Sequence, residues 1–340
     1  MRHEALPLDG GDSIVADAGV RVHASGRLHL GFLDPAGTLG RRYGSLGLMV
    51  DGWSTVVVLR RAAVDRDSAA DAAGQAELPR ARGHLELLRR ATGFDAPLHL
   101  HIAEALPAHA GLGSGTQLAL AVGHAFCALS ASDLTTAELA RITNRGLRSG
   151  VGIAGFDHGG LLLDGGPGPD GAAAPLLARI ALPAPWRVLV ALDPRVRGLS
   201  GPAEKAALAA LPPLPREAAA EICHEVLMRI LPGAATAKFA PFAAGITRVQ
   251  QLLAMHFAPA QQGRAYASAG VGRMIEWIGA HTVAGIGQSS WGPAGFALVP
   301  SADVADAAAA AARQAGVVDP AIELRVATPR DRGATLIPLA

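Results

Sequence analysis

Lysine is almost missing from this chain. It occurs only at Lys205 and Lys238, so arginine carries nearly all the positive charge. A base-composition bias would account for that. It also suits phosphate recognition, because the planar guanidinium meets phosphate oxygens in pairs. Cysteine is equally scarce: Cys127 and Cys223 stand far apart, each inside an apolar helical pattern. A disulfide scaffold is thereby excluded, and a reducing compartment fits. No H-x-x-x-H or C-x-x-C spacing points to zinc. An excess of one charge sign is lacking as well. The formal net charge of +1 gives no field to draw in nucleic acid or a membrane surface. No apolar run reaches the length of a membrane span, and the opening MRHEALPLDGGDS holds no apolar core of signal-peptide length. The expectation is a cytoplasmic protein.

What remains is a chain of 340 residues, half of them hydrophobic, long enough for two domains. Residues 1–18 read as a flexible tail. Val20–His29, Tyr43–Val50 and STVVVLRR (54–61) read as extended, and 76–91 as a helix stopped by Gly93. PLHLHIAE alternates, with Leu98, Leu100 and Ile102 on one face and His99 and His101 on the other. Helices follow from about Ser114 to Leu129 and over TTAELARITNRGL, the latter capped by Thr135 or Thr136. RSGVGIAGFDHGGLLLDGG reads as glycine-punctuated strands, and GPGPDGAAAP (166–175) as a linker. The second half restarts with the strand WRVLVALD. Helices follow near 201–211, 217–231, 241–257, 268–280 and 302–315, with strands GFALVP and IELRVAT among them. The order is α+β, with a break near 170–185. It predicts an N-terminal domain over 19–180 and a C-terminal domain over 181–340.

The most telling stretch is PAHAGLGSGT (107–116), which runs directly into a helical pattern. A helix start exposes unpaired N–H groups and the positive end of the dipole, and glycines let backbone close around an anion. A phosphate there is physically natural. A tight strand-to-helix turn with no ligand would look the same. The Walker P-loop is excluded because no lysine is near, and the Rossmann fingerprint because the third glycine comes one residue early.

Pro107, Gly111, Leu112, Gly113, Ser114 and Gly115 match in order the second motif of the GHMP kinase superfamily, P-x-x-x-G-L-G-S-[SG]-[AT]. GIGQSSWGP (285–293) stands where that superfamily has its third, glycine-rich motif. The kinases often carry a catalytic aspartate in an S-G-x-x-D pattern. Here Ser149-Gly150 leads to Ile153 at that position, and Asp157 lies four residues on. RVHASGRLHLGFLDPAGTLGRRYGSLGLMVDG (21–52), with its R-L-H-x-G and G-R-x-x-G spacings, resembles one branch of the superfamily. That branch is the β-ribofuranosylaminobenzene 5′-phosphate synthases of methanopterin biosynthesis. RSGVGIAGFDHGGLLLDGG, GLSGPAEKAAL and GIGQSSWGP resemble further blocks of that family.

The resemblance implies a GHMP kinase-like α+β fold with two α/β domains, the first of split β-α-β type and the second ferredoxin-like. It also implies a reaction in which ribose 5-phosphate of phosphoribosyl pyrophosphate is joined to a para-substituted benzoate, with loss of CO2 and pyrophosphate. Either 4-aminobenzoate or 4-hydroxybenzoate satisfies it. Mg²⁺ as cofactor and a homodimer are further implications. An ATP-dependent small-molecule kinase and a non-catalytic binder remain as alternatives.

On this reading Gly111–Thr116 hold a polyphosphate. Arg27 and His29 share a strand face and contact phosphate or carboxylate. Arg41 and Arg42 act as a loop clamp, although a solvated pair reads as well, and Arg148 with Ser149 reaches the same anion. Asp34 and Asp164 are the expected Mg²⁺ ligands, although Asp34 also suits its Asp-Pro-Ala-Gly turn structurally. Asp157 and His158, together with Arg27 and His29, are the expected catalytic residues. Gln288, Ser289, Ser290 and Trp291 suit an aromatic acid or a ribose, or else form a turn over a buried tryptophan. Ser200 and Glu204 are weaker candidates that a helix cap would also explain.

Overall fold

The computed structural model describes residues 19–168, 171–198 and 201–339, with side chains from 206 in the last segment. The tail expected at 1–18, Ser200 and the Glu204 side chain lie outside the described residues. Two long strands, β1 (Gly19–Asp34) and β2 (Tyr43–Arg61), form the backbone of the first sheet. They pair antiparallel with irregularities between Ser25 and Gly26 and between His29 and Gly31. The second of these bends β1 beside His29, as bulges commonly do next to a site. The chain continues through β3 (Arg66–Ala69), α1 (Ala72–Thr92), β4 (Leu98–Glu104), α2 (Ser114–Ser130), α3 (Thr136–Ile142), α4 (Val151–His158), β5 (Leu161–Asp164) and β6 (Leu176–Ile180).

The second half holds β7 (Arg187–Leu192), α5 (Gly201–Ala210), α6 (Arg216–Glu225), α7 (Leu231–Ala235), α8 (Phe239–Phe257), α9 (Ala269–His281), β8 (Gly285–Gln288), β9 (Ala294–Val299), α10 (Ala302–Gln314), β10 (Glu323–Ala327) and β11 (Thr335–Leu339). The first sheet runs β11-β1-β2-β4-β3, with β5 on β2 and β6 on β5, and the second runs β10-β7-β9-β8. The closing strand therefore returns to the first sheet, pairing Gly19 with Leu339. A division into 19–180 and 181–340 separates β11 from the sheet it completes.

One core packs α1 and α2 on Val22, Val57, Leu100 and Ile102; a second packs α9 and α10 on β7 and β9. A third joins Leu28, Leu30 and Leu48 to Val188, Phe242 and Phe296, so the two sheets share apolar interior. The β4 alternation holds, with Leu98, Leu100 and Ile102 buried and His99 and His101 half-buried. One expected element is corrected. Val151–His158 is a helix rather than a strand, because Gly152 lies against Thr116 and Gly155 against Met49, which brings the helix close to α2 and β2.

Candidate functional site

The glycine loop joins β4 to α2. Gly113 sits at the N-cap of α2 with φ +81°, and no side chain caps the first turn. By contrast, Asp71 caps α1, and Thr135 with Glu138 forms a capping box on α3. The leading N–H groups of α2 are thus left open to an external acceptor.

Two distant segments fix the loop. The backbone N–H of Arg27 donates to the Leu112 carbonyl at 3.0 Å, and its guanidinium donates to the Gly111 carbonyl at 3.2 Å. From the β8–β9 turn, the Ser289 hydroxyl donates to the Gly111 carbonyl at 2.7 Å and accepts the His29 N–H at 2.9 Å. Gly111, with φ +88°, lies directly on the Ser289 carbonyl, and Gly292 on the Gly111 amide, so a Cβ at either place would collide with backbone. These glycines allow the close approach of two loops.

Around the helix start the charge is cationic. His29 is fully buried with its Nε2 unbonded. Burial first, and then the neighbouring Arg27 and Arg148, push its pKa well below the usual histidine value, so the ring is a neutral imidazole. Thr116 meets Gly152 at the start of α4, and Ser149 stands 2.6 Å from the Ser45 hydroxyl. The structure thus joins Arg27 to the glycine loop directly and His29 through Ser289, with Arg148 beside His29, while Ser149 bonds Ser45 and Asp164.

Sequence reasoning missed two further arginines. A Cβ added at Gly115 would lie 3.2 Å from Arg145 Nη1 and 3.5 Å from Arg80 Nη1. Arg80 is on α1, and Arg145 follows α3. The sequence signal was the spacing of Glu77, Arg80 and His84, which share one helical face.

The carboxylates correct the expected metal site. Asp34 accepts from the N–H groups of Ala36, Gly37 and Leu39 and from the Thr38 hydroxyl, closing its own turn. Asp164 accepts from Ser45, Ser149, Gly150 and Gly166. Both are buried with their oxygens engaged, which does not fit a hydrated Mg²⁺ that needs open carboxylate oxygens. Among the described residues, no group of three or more His, Cys, Asp or Glu converges on a metal position. Asp157 and His158 are exposed at the far end of α4, where Asp157 accepts at 2.6 Å from Thr136 of α3, which in turn meets His124 midway along α2. These two of the expected catalytic residues therefore stand away from the glycine loop.

The β8–β9 turn is also more structural than expected. Gln288 bonds Gln261, the Ser290 carbonyl and the Ala267 N–H. Trp291 is buried against Phe257, with ring centroids 4.7 Å apart. The adjoining cavity, which His29 and Ser290 line, is about 40 Å³, and an aromatic acid needs several times that. Gln288 and Trp291 build the wall and Ser289 is engaged by Gly111 and His29; Ser290, at φ +55° and half-buried, still faces the cavity.

The larger space is a cleft of about 920 Å³, which meets the start of α2 through Arg145. Arg41, Arg42, Arg141 and Arg145 line it together with Tyr43, Leu147 and Ile153. Arg41 is tied to the carbonyls of Gly165 and Gly166, and Arg42 lies over the Tyr43 ring at 5.1 Å. At the kinase-aspartate position, Ile153 offers the cleft an alkyl wall.

This architecture has known counterparts. Residues 80–160 match the GHMP kinases N terminal domain, and 236–318 the GHMP kinases C terminal domain. A homoserine kinase from Cytophaga hutchinsonii superimposes with a TM-score of 0.67 at 16% identity, covering 98% of this chain and 100% of its own. The phosphomevalonate kinase of Streptococcus pneumoniae gives 0.68 at 14% identity over 92% of this chain and 99% of its own. The fold is that of the GHMP kinases.

In sequence, a β-ribofuranosylphenol 5′-phosphate synthase from Archaeoglobus fulgidus is 32% identical over 253 residues, 68% of this chain and 76% of the relative. A synthase of the same name from Methanothermobacter thermautotrophicus is 28% identical over 301 residues, 82% and 88% of the two chains. The chain belongs to the β-ribofuranosylphenol 5′-phosphate synthase family.

Proposed function

We propose that the protein joins the ribose 5-phosphate of phosphoribosyl pyrophosphate to 4-hydroxybenzoate, releasing CO2 and pyrophosphate. The phenol in the relatives' name is what the hydroxy acid yields, which favours it over 4-aminobenzoate. In the reaction the anomeric C–O bond breaks and its electron pair leaves with pyrophosphate. The ring carbon bearing the carboxylate bonds to the anomeric carbon. The bond from the ring to the carboxylate then breaks, and its pair restores aromaticity. The protein's tasks are to neutralise the leaving anion and to hold ring and sugar in contact.

The observation that carries the reading is the uncapped α2 start, flanked by Arg27 and linked through Arg145 to a cleft that Ile153, at the kinase-aspartate position, also lines. An isoleucine neither positions nor deprotonates an acceptor alcohol, so the same loop suits a diphosphate leaving group better than phosphoryl transfer. The glycine loop and Arg27 hold the diphosphate. His29 offers a neutral nitrogen to a substrate hydroxyl, and the cleft takes the aromatic acid between Tyr43, Leu147, Arg41 and Arg42. The reaction runs in the cytoplasm.

Incubation with phosphoribosyl pyrophosphate and each benzoate, followed by mass spectrometry, tests this. The expected product is the ribosylphenol 5-phosphate. ATP-dependent phosphorylation of a small alcohol, with phosphoribosyl pyrophosphate untouched, would promote the kinase alternative instead.

A further inference from the structure

We infer that Arg80 and Arg145 form the subsite for the substrate's 5-phosphate, two residues along α2 from the glycine that faces Arg27. The inference rests on the synthase reading, in which the substrate carries anionic groups on both sides of its ribose. The loop and Arg27 take the diphosphate, so the second anion needs its own partners. Gly113 meets Arg27, with a Cβ there only 2.9 Å from its Cγ, and Gly115 meets Arg145 and Arg80. The two glycines lie within roughly 7 Å of each other along the chain, a separation that a pentose can bridge.

The cluster around Gly115 is built and under-neutralised. Glu77, Arg80 and His84 lie on one face of α1, and Arg145 comes in from the turn after α3. Two guanidiniums converge on the positive end of a helix, where like charges repel and an anion is favoured. The carboxylate beside them is the buried Glu77, 3.2 Å from Arg80. His84 adds no charge: burial, then Arg145 and Arg80, lower its pKa to about 4. Its neutral ring faces Arg145 Nη2 at 3.5 Å and so positions that guanidinium. Arg145 Nε is itself buried without an acceptor. Arg145 also lines the 920 Å³ cleft, so one residue links the helix start to the space assigned to the aromatic acid. Without the Cβ that Gly115 lacks, both guanidiniums can stand against the helix.

Calorimetry on the full chain, with ribose 5-phosphate and pyrophosphate as separate probes, tests the assignment. Arg145→Gln and Arg80→Gln should each weaken ribose 5-phosphate by about tenfold or more while leaving pyrophosphate within about twofold, as loss of a charged hydrogen bond implies. Arg145→Lys, which keeps the charge, should recover part of the loss, and thermal melts show whether each variant is folded. Equal weakening of both probes, unchanged ribose 5-phosphate binding, or no binding of it by the wild type would overturn the subsite. If the wild type releases CO2 from the benzoate but Arg145→Gln binds ribose 5-phosphate normally, the subsite fails and the synthase reading stands. A wild type with the predicted selectivity but no CO2 release keeps the phosphate subsite and removes the synthase reading.

Discussion

The Ser289 hydroxyl donates to the Gly111 carbonyl at 2.7 Å across 178 residues of sequence. The same oxygen accepts the His29 N–H, so one side chain pins β1, the glycine loop and the β8–β9 turn together. Ser289→Ala leaves a buried carbonyl and a buried N–H without that partner. The expected loss is about 1–3 kcal/mol of stability, read by chemical denaturation, with weaker pyrophosphate binding. Unchanged values for both would show that the pin is dispensable.

Gly113→Val is expected to abolish pyrophosphate binding. Its φ of +81° disfavours a β-branched residue, and the added Cβ would press on Arg27 at 2.9 Å. The side chain would stand where the anion approaches. Circular dichroism on the folded variant, together with titration of pyrophosphate, checks the claim; normal affinity would remove the loop from the anion site.

Arg27→Lys keeps the charge and loses the planar fork. A charged hydrogen bond is worth about 1.5–3 kcal/mol, so kcat/KM should fall about ten- to a hundredfold. Full activity in the lysine variant would make Arg27 a structural tie to Gly111 alone.

His84 makes stability pH-dependent. It titrates near 6.5 in the unfolded chain and at about 4 when folded, so the unfolded chain binds its proton first as pH falls. The folded state is therefore fully favoured above about 6.5 and loses up to on the order of 3 kcal/mol down to about 4. Buried His29 acts in the same direction. His84→Gln should flatten the decline in denaturation midpoints between those pH values; an unchanged slope would show that His84 is not its source.

Much of the fold was legible because period and punctuation agreed. The Gly93 stop of α1, the alternation of β4 and the Thr135 cap of α3 all have local causes. The GHMP-like fold followed from the order of the glycine motifs. Other features depend on partners that the local sequence does not name. The helix at Val151–His158 exists because its glycines meet Thr116 and Met49. β3, of sequence RDSA, and β11 are strands by pairing, on β4 and on β1. The site divides the same way. Arg27 and His29 were visible from strand spacing. Asp34 and Asp164 are of the residue type that holds metals, but their oxygens close loops, and the convergence of Arg80 and Arg145 on Gly115 needs α1 and α3 in place.

The most direct test of the central claim counts two products at once. Carboxyl-labelled 4-hydroxybenzoate is incubated with phosphoribosyl pyrophosphate, and released CO2 and pyrophosphate are measured together. The account predicts equal release of both, with no turnover when ATP replaces phosphoribosyl pyrophosphate. Pyrophosphate without CO2, or phosphate transfer from ATP, would contradict it.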